Sequence, residues 1–348
     1  LVAARTRLDA SILATLPVAI DAMGGDDAPA VAIEGARLAQ ERGLAVTLVG
    51  VPELVGDHEG LELFACSEVI GMADDPAQGV RRKKDSSLVR AAELVRDGKA
   101  SAMVSAGNTG ATMASALLRM GRLPGVIRPA IATPLPRPGS TPCVMLDAGA
   151  NAECTPAMLV QFAQMGSAFA RHRYGLSEPS VALLSIGEES SKGTALVKET
   201  HALLASGALG INFVGNIEGR DLLPSPVDVV ITDGFTGNVA LKTLEGSLKF
   251  IMGKLLEIFT SDEEAQAAAA VLLPKLMPLA GELDPEGAGG AMLLGLNGVC
   301  VISHGSSTGR AIENATAVGY EMASTGVVEA IAEALSIGLP EGDEPLSA

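Results

Sequence analysis

Residues 100–120, ASAMVSAGNTGATMASALLRM, contain a strand, a turn and the start of a helix in one stretch. The run at 100–106 is short and mostly apolar, which is typical of a strand covered by helices on both faces of a parallel sheet. Gly107 and Gly110 mark a turn, and a helical pattern follows them. This order predicts one strand-to-helix unit of an open α/β sheet.

The same order recurs along most of the chain. Ten short apolar runs are strand candidates, at 16–20, 45–50, 61–65, 100–106, 130–135, 143–148, 181–186, 211–215, 227–232 and 298–303. A helix is predicted after Thr155 and Pro156, a capping pair followed by apolar residues at helical spacing. We predict an α/β fold with a doubly wound, mostly parallel sheet in an α/β/α sandwich, and a helical excursion near 247–283.

Length and composition limit what the chain does. Its 348 residues suffice for one large α/β domain, predicted at 16–340 between an N-terminal extension, 1–15, and a tail, 341–348. A formal net charge of −16 argues against nucleic-acid binding, which requires a basic face. The four cysteines form no CxxC pair, and Arg and Asp interrupt the first fifteen residues too often for a secretory signal. We therefore expect a cytoplasmic protein with reduced thiols.

Five strand ends lead into glycine turns. These turns are AGNTG (106–110), IGEESSKG (186–193), GNIEGRD (215–221), DGFTGN (233–238) and HGSSTG (304–309). Helix starts present unpaired N–H groups and the positive end of the helix dipole, and glycine lets an anion approach the backbone. The turns therefore predict phosphate-sized anion sites, which we expect to converge along one edge of the sheet. The phosphate-binding candidates are Gly107, Asn108, Thr109, Gly110, Ser306 and Ser307.

Several classes of site are not indicated. No turn matches a P-loop, and no GxGxxG follows a strand with an acid about twenty residues on, so we expect no nucleotide cofactor. The first turn, DAMGGDDAP, contains Asp21, Asp26 and Asp27 but no His or Cys, and we expect no metal requirement. Because carboxylates repel phosphate, these acids are predicted to orient lysines or backbone amides, or to cap the next helix.

Long, ordered segments of the chain resemble the PlsX family of bacterial phosphate acyltransferases. The matching stretches are DAMGGDDAP (21–29), VRRKKDSSLV (80–89), SAGNTGATMASALLRMGRLPGVIRPAIATPLP (105–136), LDAGANAECTPAMLVQFAQMGS (146–167), LLSIGEESSKGTALVKE (183–199), INFVGNIEGRDLL (211–223), VVITDGFTGNVALKTLEG (229–246) and LLGLNGVCVISHGSS (293–307). The resemblance thus extends over nearly the whole chain.

The resemblance implies an α/β/α homodimer that transfers a fatty acyl group from acyl-acyl-carrier protein to inorganic phosphate. A membrane glycerol-phosphate acyltransferase would then use the acyl-phosphate in phospholipid synthesis. Peripheral membrane contact is also implied, although the acidic SDEEAQ at 261–266 departs from a strong lipid-binding pattern. Two alternatives stay open: a phosphate acetyl- or butyryltransferase that uses coenzyme A esters, and a non-catalytic module that binds an anion or an acyl chain.

Phosphate is itself the nucleophile in such a reaction, so the protein needs to hold a dianion and to donate hydrogen bonds to the developing oxyanion. Lys192 is expected to pair with phosphate or with the carbonyl oxygen, and Asn238 to donate to the oxyanion. His304 is expected to protonate the leaving thiolate or to hydrogen-bond phosphate. Cys154 is the alternative nucleophile, because a helix start lowers a thiol pKa, although a buried free thiol is the commoner case.

Two surfaces are candidates for partner contacts. An acidic enzyme needs a local basic surface to meet an acidic carrier protein. The docking candidates are Arg81, Arg82, Lys83 and Lys84. The alternative is that these residues form an ordinary solvated surface that binds no partner. The apolar helices at 247–283 are predicted to pack on a dimer mate or to lie on a bilayer.

Overall fold

Eleven strands form one sheet within residues 15–337, the part of the chain that the computed structural model describes. They are β1 (Val18–Asp21), β2 (Val46–Gly50), β3 (Leu63–Ala65), β4 (Ala102–Ser105), β5 (Ala130–Leu135), β6 (Cys143–Leu146), β7 (Ser180–Ser185), β8 (Asn212–Glu218), β9 (Val229–Ile231), β10 (Ala291–Leu294) and β11 (Val299–Ile302). All ten predicted strands are confirmed. The predicted tail, 341–348, and the predicted extension, 1–15, except its last residue, lie outside the described residues.

Helices connect most of the strands. They are α1 (Ala30–Glu41), α2 (Pro52–Val55), α3 (Pro76–Arg82), α4 (Ser87–Arg96), α5 (Thr109–Arg119), α6 (Pro156–Tyr174), α7 (Ala195–Ala205), α8 (Gly234–Phe259), α9 (Glu263–Leu283), α10 (Gly309–Ser324) and α11 (Val327–Ser336). The cap of α6 is confirmed, because Thr155 Oγ1 accepts a hydrogen bond from the Met158 N–H at 3.3 Å. The predicted helical excursion corresponds to the long pair α8 and α9.

The strand order is β3-β2-β1-β4-β11-β10-β5-β6-β9-β7-β8, and seven of the ten neighbouring pairs are parallel. The mostly parallel α/β fold is therefore confirmed. β10 is the one strand that the sequence analysis missed. It has four residues between Gly290 and Gly295, both with positive φ, and it pairs antiparallel with β11 and β5.

Strand direction reverses across the middle of the sheet. β10 is antiparallel to both neighbours, and β5 is antiparallel to β6, so β6, β7, β8 and β9 run opposite to β1, β4 and β11. The carboxyl ends of the two groups therefore lie at opposite edges. Our expectation that all five glycine turns share one edge is wrong, because connections that are distant in sequence set the direction of a strand.

Apolar residues cover both faces of the sheet, as a sandwich requires. On β1, Val18 and Ile20 belong to a core under α1, α6 and α10, whereas Ala19 belongs to a second core under α4 and α5. α8 joins this second core through Leu241 and Leu244. α8 thus covers part of the second face that α4 and α5 leave open.

Candidate active site

A cavity of about 740 Å³ lies between α8 and the face of the sheet formed by β5 and β10. Its lining includes turn residues from both edges of the sheet, namely Thr109, His304 and Ser306 after β4 and β11, and Gly149 and Asn238 after β6 and β9. The two edges are separated by about 20 Å or less, because strands of four to six residues rise about 3.3 Å per residue. The cavity is therefore lined by turns from both edges of the sheet, although the two groups of strands end at opposite edges.

At the β4 edge, the turn is held rigidly beneath α5. The Asn108 side chain caps the helix by accepting a hydrogen bond from the Ala111 N–H at 3.0 Å. Its amide donates to the carbonyl oxygens of Met72 and Asp74 at 3.0 and 3.1 Å. Asn108 therefore fixes the turn, and the exposed Thr109, the first residue of α5, lines the cavity.

The first turn of the sequence braces this site. Gly24 packs on the β4 turn so closely that an added Cβ would lie 2.6 Å from the Gly107 nitrogen. Ser105 Oγ donates to Asp21 at 2.8 Å and accepts from the Gly107 N–H at 3.0 Å. Burial raises the pKa of Asp21, and the hydrogen bonds that its carboxylate accepts, among them the one from Ser105, act in the opposite direction. The predicted role of Asp21 in orienting a backbone amide thus fits the geometry, while α1 has no side-chain cap.

The turn after β11 places His304 and Ser306 at the cavity and Ser307 behind it. Ser307 is buried, and its hydroxyl lies 2.7 Å from that of Ser303. His304 is half exposed, and its Nε2 lies 3.8 Å from Oε1 of Glu245 on α8. The histidine therefore faces a carboxylate across the mouth of the cavity.

At the opposite edge, α8 begins directly on the loop after β6. The buried Asp147 organises this loop by accepting hydrogen bonds from the N–H groups of Ile131, Gly149, Ala150 and Asn151 and from the Asn151 side chain. Burial raises the pKa of Asp147, and these donors oppose the shift. Asn238, one turn into α8, donates to the Ala148 carbonyl at 3.3 Å. The amide of Asn238 is thus anchored at the cavity wall.

The rest of the cavity is largely apolar. Its lining includes Leu135, Leu241, Leu244, Leu248, Met252 and Leu283. Three charged residues, Lys242, Glu245 and Lys249, also line it. Lys242 Nζ lies 2.8 Å from Glu245 Oε2. This face of α8 was not predicted from the sequence, although its residues recur from Asn238 onwards at intervals of three and four, the signal of a helix face.

Two predicted residues lie elsewhere. Lys192 is exposed in the turn between β7 and α7 and is absent from the cavity lining. Cys154 is half buried, and burial raises the pKa of its thiol to about 12. Its proximity to a helix start does not lower the pKa as expected, so the thiol stays protonated at neutral pH and is a poor nucleophile.

The basic cluster lies beside the β4 edge. Pro76, the first residue of α3, packs on the first turn of α5, where a Cβ on Gly110 would lie 2.7 Å from Pro76 Cγ. Lys83 Nζ is engaged internally, 2.6 Å from Asp74 and 2.7 Å from the Val69 carbonyl oxygen. The cationic side chains exposed beside it are those of Arg81, Arg82 and Lys84.

Residues 15–337 contain no group of three or more His, Cys, Asp or Glu side chains arranged to hold a metal ion. Over the same residues, every helix is too short or too polar to span a membrane.

Comparison with solved structures supports the fold. The EutD phosphotransacetylase from Staphylococcus aureus has a TM-score of 0.58 at 18% identity and covers 90% of this chain and 98% of its own. A phosphotransacetylase from Streptococcus pyogenes has a TM-score of 0.57 at 19% identity, with 92% and 95% covered. At these identities the likeness concerns the fold alone.

Sequence relatives are much closer. A family model described as "Fatty acid synthesis protein" matches residues 16–330. The phosphate acyltransferase of Leptospira biflexa is 46% identical over 329 residues, which cover 91% of this chain and 96% of the relative. That of Elusimicrobium minutum is 45% identical over 324 residues, with 90% and 94% covered. The chain therefore belongs to this fatty acid synthesis protein family, the PlsX phosphate acyltransferases that its motifs resemble.

Proposed function

We propose that this acyltransferase transfers a fatty acyl group from acyl-acyl-carrier protein to inorganic phosphate, forming acyl-phosphate for phospholipid synthesis. The observation that carries the proposal is the cavity, which joins an apolar chamber under α8 and α9 to a polar mouth at the start of α5. A fatty acyl chain fits the apolar lining, and an anion fits the helix start.

The reaction requires little of the protein beyond positioning. A phosphate oxygen attacks the thioester carbonyl carbon, and the carbon–sulfur bond then breaks. The start of α5 with Thr109, and Ser306 across the mouth, hold the phosphate dianion in this proposal. Asn238 donates to the carbonyl oxygen, and His304 protonates the departing sulfur. The role expected for Lys192 stays a prediction.

The direct test is phosphate-dependent loss of thioester from a long-chain acyl-acyl-carrier protein, with acyl-phosphate trapped by hydroxylamine as the hydroxamate. The matching acyl-coenzyme A ester, assayed in parallel, identifies the carrier. Product from the coenzyme A ester alone would replace the proposed substrate. The absence of product from both thioesters would favour the alternative function, a non-catalytic module that binds an anion or an acyl chain.

The carrier protein is proposed to dock on Arg81, Arg82 and Lys84. α3 rises about 1.5 Å per residue, so Arg81 and Arg82 begin within roughly 10 Å of Pro76, which packs on the first turn of α5, and Lys84 follows two residues after α3 ends. Reversing all three charges to glutamate is expected to lower kcat/KM for acyl-acyl-carrier protein about tenfold at low salt and to weaken its salt dependence. Steady-state kinetics at several salt concentrations measure both effects.

Two comparisons control this prediction. An acyl-pantetheine thioester has no carrier protein and is expected to react equally with the wild type and the triple variant. Arg171→Glu changes an exposed charge on α6, which packs on the other face of the sheet, and is expected to react normally. A triple variant with wild-type kinetics on acyl-acyl-carrier protein would exclude this docking surface.

A second copy of the chain is proposed to cover the exposed apolar surface of α8 and α9. This surface consists of Phe235, Val239, Phe250, Ile251, Leu256, Ile258, Val271, Leu272, Met277 and Leu279, each more than 40% exposed. A patch of this kind on a monomer marks an interface. We expect the wild type to sediment as a dimer and Phe250→Asp as a monomer. A monomeric wild type that floats with liposomes would instead assign the surface to a bilayer.

A further inference from the structure

Thr133 carries a hydroxyl group that no residue satisfies in the part of the chain that the structure describes. Its Oγ1 is shielded from solvent and lacks a hydrogen-bond partner among residues 15–337. The side chain nevertheless lines the cavity between α8 and the sheet. Thr133 is thus a polar residue placed at the reaction chamber with its polar atom unused.

The position of Thr133 is central to the cavity. It lies in the middle of β5, where side chains alternate between faces, so it shares a face with Ile131 and Leu135. All three residues line the cavity. β10 places Ala291 beside Thr133, because Met292 pairs with Ala132. Thr133 is therefore a polar residue in an apolar patch of floor between the turn of His304 and the turn of Gly149, where its side-chain carbons line the cavity and its hydroxyl lies beneath them.

An unsatisfied hydroxyl in such a place is unfavourable for folding. A buried polar group without a partner loses its hydrogen bonds to water and gains none in return. Valine has nearly the same shape and would avoid this loss. A staggered rotation about χ1 brings the hydroxyl into the position of the methyl group, so a ligand in the cavity can recruit it.

We propose that the Thr133 hydroxyl donates a hydrogen bond to the acyl carbonyl oxygen, an inference that rests on the proposed function. A phosphate oxygen forms a bond to the carbonyl carbon, and the π electrons move onto the carbonyl oxygen. When the carbonyl re-forms, the carbon–sulfur bond breaks and its electron pair leaves with the sulfur, which is then protonated. Thr133 keeps its own proton throughout and stabilises the transient oxyanion together with Asn238.

The surroundings favour a carbonyl oxygen over phosphate as the acceptor. A phosphate dianion needs several donors or cations, and Thr133 is flanked by Ile131, Leu135 and Ala291. An acyl thioester presents one polar atom at the head of an apolar chain. A single neutral donor at the end of an apolar lining matches that pattern.

The test compares Thr133→Val with the wild type on a long-chain acyl-acyl-carrier protein. We expect kcat to fall about 100-fold, because one oxyanion donor is lost, while KM for phosphate stays unchanged. Thr133→Ser keeps the hydroxyl and is expected to keep most of the activity. The urea midpoint of Thr133→Val is expected to equal or exceed that of the wild type, since an unsatisfied polar group is removed.

Thr47 provides a matched control. It lies in β2, its hydroxyl is also buried without a partner among the described residues, and it does not line the cavity. Thr47→Val is therefore expected to leave both stability and kcat undiminished.

Three results would overturn the inference. They are an unchanged kcat in Thr133→Val, a raised KM for phosphate with kcat kept, and a fall in kcat that accompanies a lower urea midpoint. Failure of the proposed function is seen separately, because the wild type would then form no acyl-phosphate in the same assay.

Discussion

Replacing His304 by alanine is expected to lower kcat by about 100-fold or more without unfolding the protein. General acid catalysis typically contributes 10²- to 10⁴-fold, and a thiolate leaving group benefits from a proton. The ring is 51% exposed, so its removal creates no buried hole. Steady-state kinetics and a urea titration of the same preparation measure activity and folding together.

The nature of the leaving group distinguishes proton donation from phosphate binding. The S-phenyl thioester of the same acyl group releases thiophenolate, whose conjugate acid has a low pKa. This leaving group departs without being protonated, so His304→Ala should lose much less activity on the S-phenyl thioester. An equal loss on both thioesters would assign His304 to phosphate instead. His172→Ala, on an exposed residue of α6, is the control and should match the wild type.

Lys192→Ala in the same assay tests whether Lys192 pairs with phosphate or with the carbonyl oxygen, and normal rates would remove Lys192 from the mechanism.

Much of the fold follows from local sequence. Strands buried on both faces are apolar at consecutive positions, and the chain between them has helical spacing or a cap such as Thr155 and Pro156, so ten strands and the long helices were predictable. β10 was not, because its four residues lie between glycines in an uncharged run and its pairing depends on β5 and β11, both distant in sequence. The reversal of strand direction has the same non-local origin.

The candidate site was predictable only in part. Thr109, Ser306, His304 and Asn238 follow strands in glycine turns, which is a local signal, and the structure brings them to one cavity. Lys192 has the same local signal, but its turn follows β7, which lies farther from β5 and β10 in the sheet than β9 does, and Lys192 does not line the cavity. The Thr133 hydroxyl gives no local signal, since its meaning depends on what surrounds it in three dimensions.

Gly237→Ala is expected to destabilise the protein by about 3 kcal/mol or more. A Cβ built on Gly237 would lie 1.9 Å from the backbone oxygen of Asp147. Because that oxygen belongs to a loop held by the Asp147 carboxylate, it has little freedom to move. The first turn of α8 would have to lift away, and Asn238 would move with it. Activity should therefore fall along with stability.

A second glycine-to-alanine substitution, at a helix position with free space around it, separates the steric clash from the ordinary effect of alanine in a helix. A Cβ on Gly281, near the end of α9, would meet nothing within 4 Å. Gly281→Ala is expected to retain or slightly raise stability, by up to about 1 kcal/mol, since alanine favours helix more than glycine does. Urea unfolding at one protein concentration compares the two variants. Equal stability in both would mean that α8 is free to slide on the Asp147 loop, and Asn238 could then not serve as a fixed donor to the oxyanion.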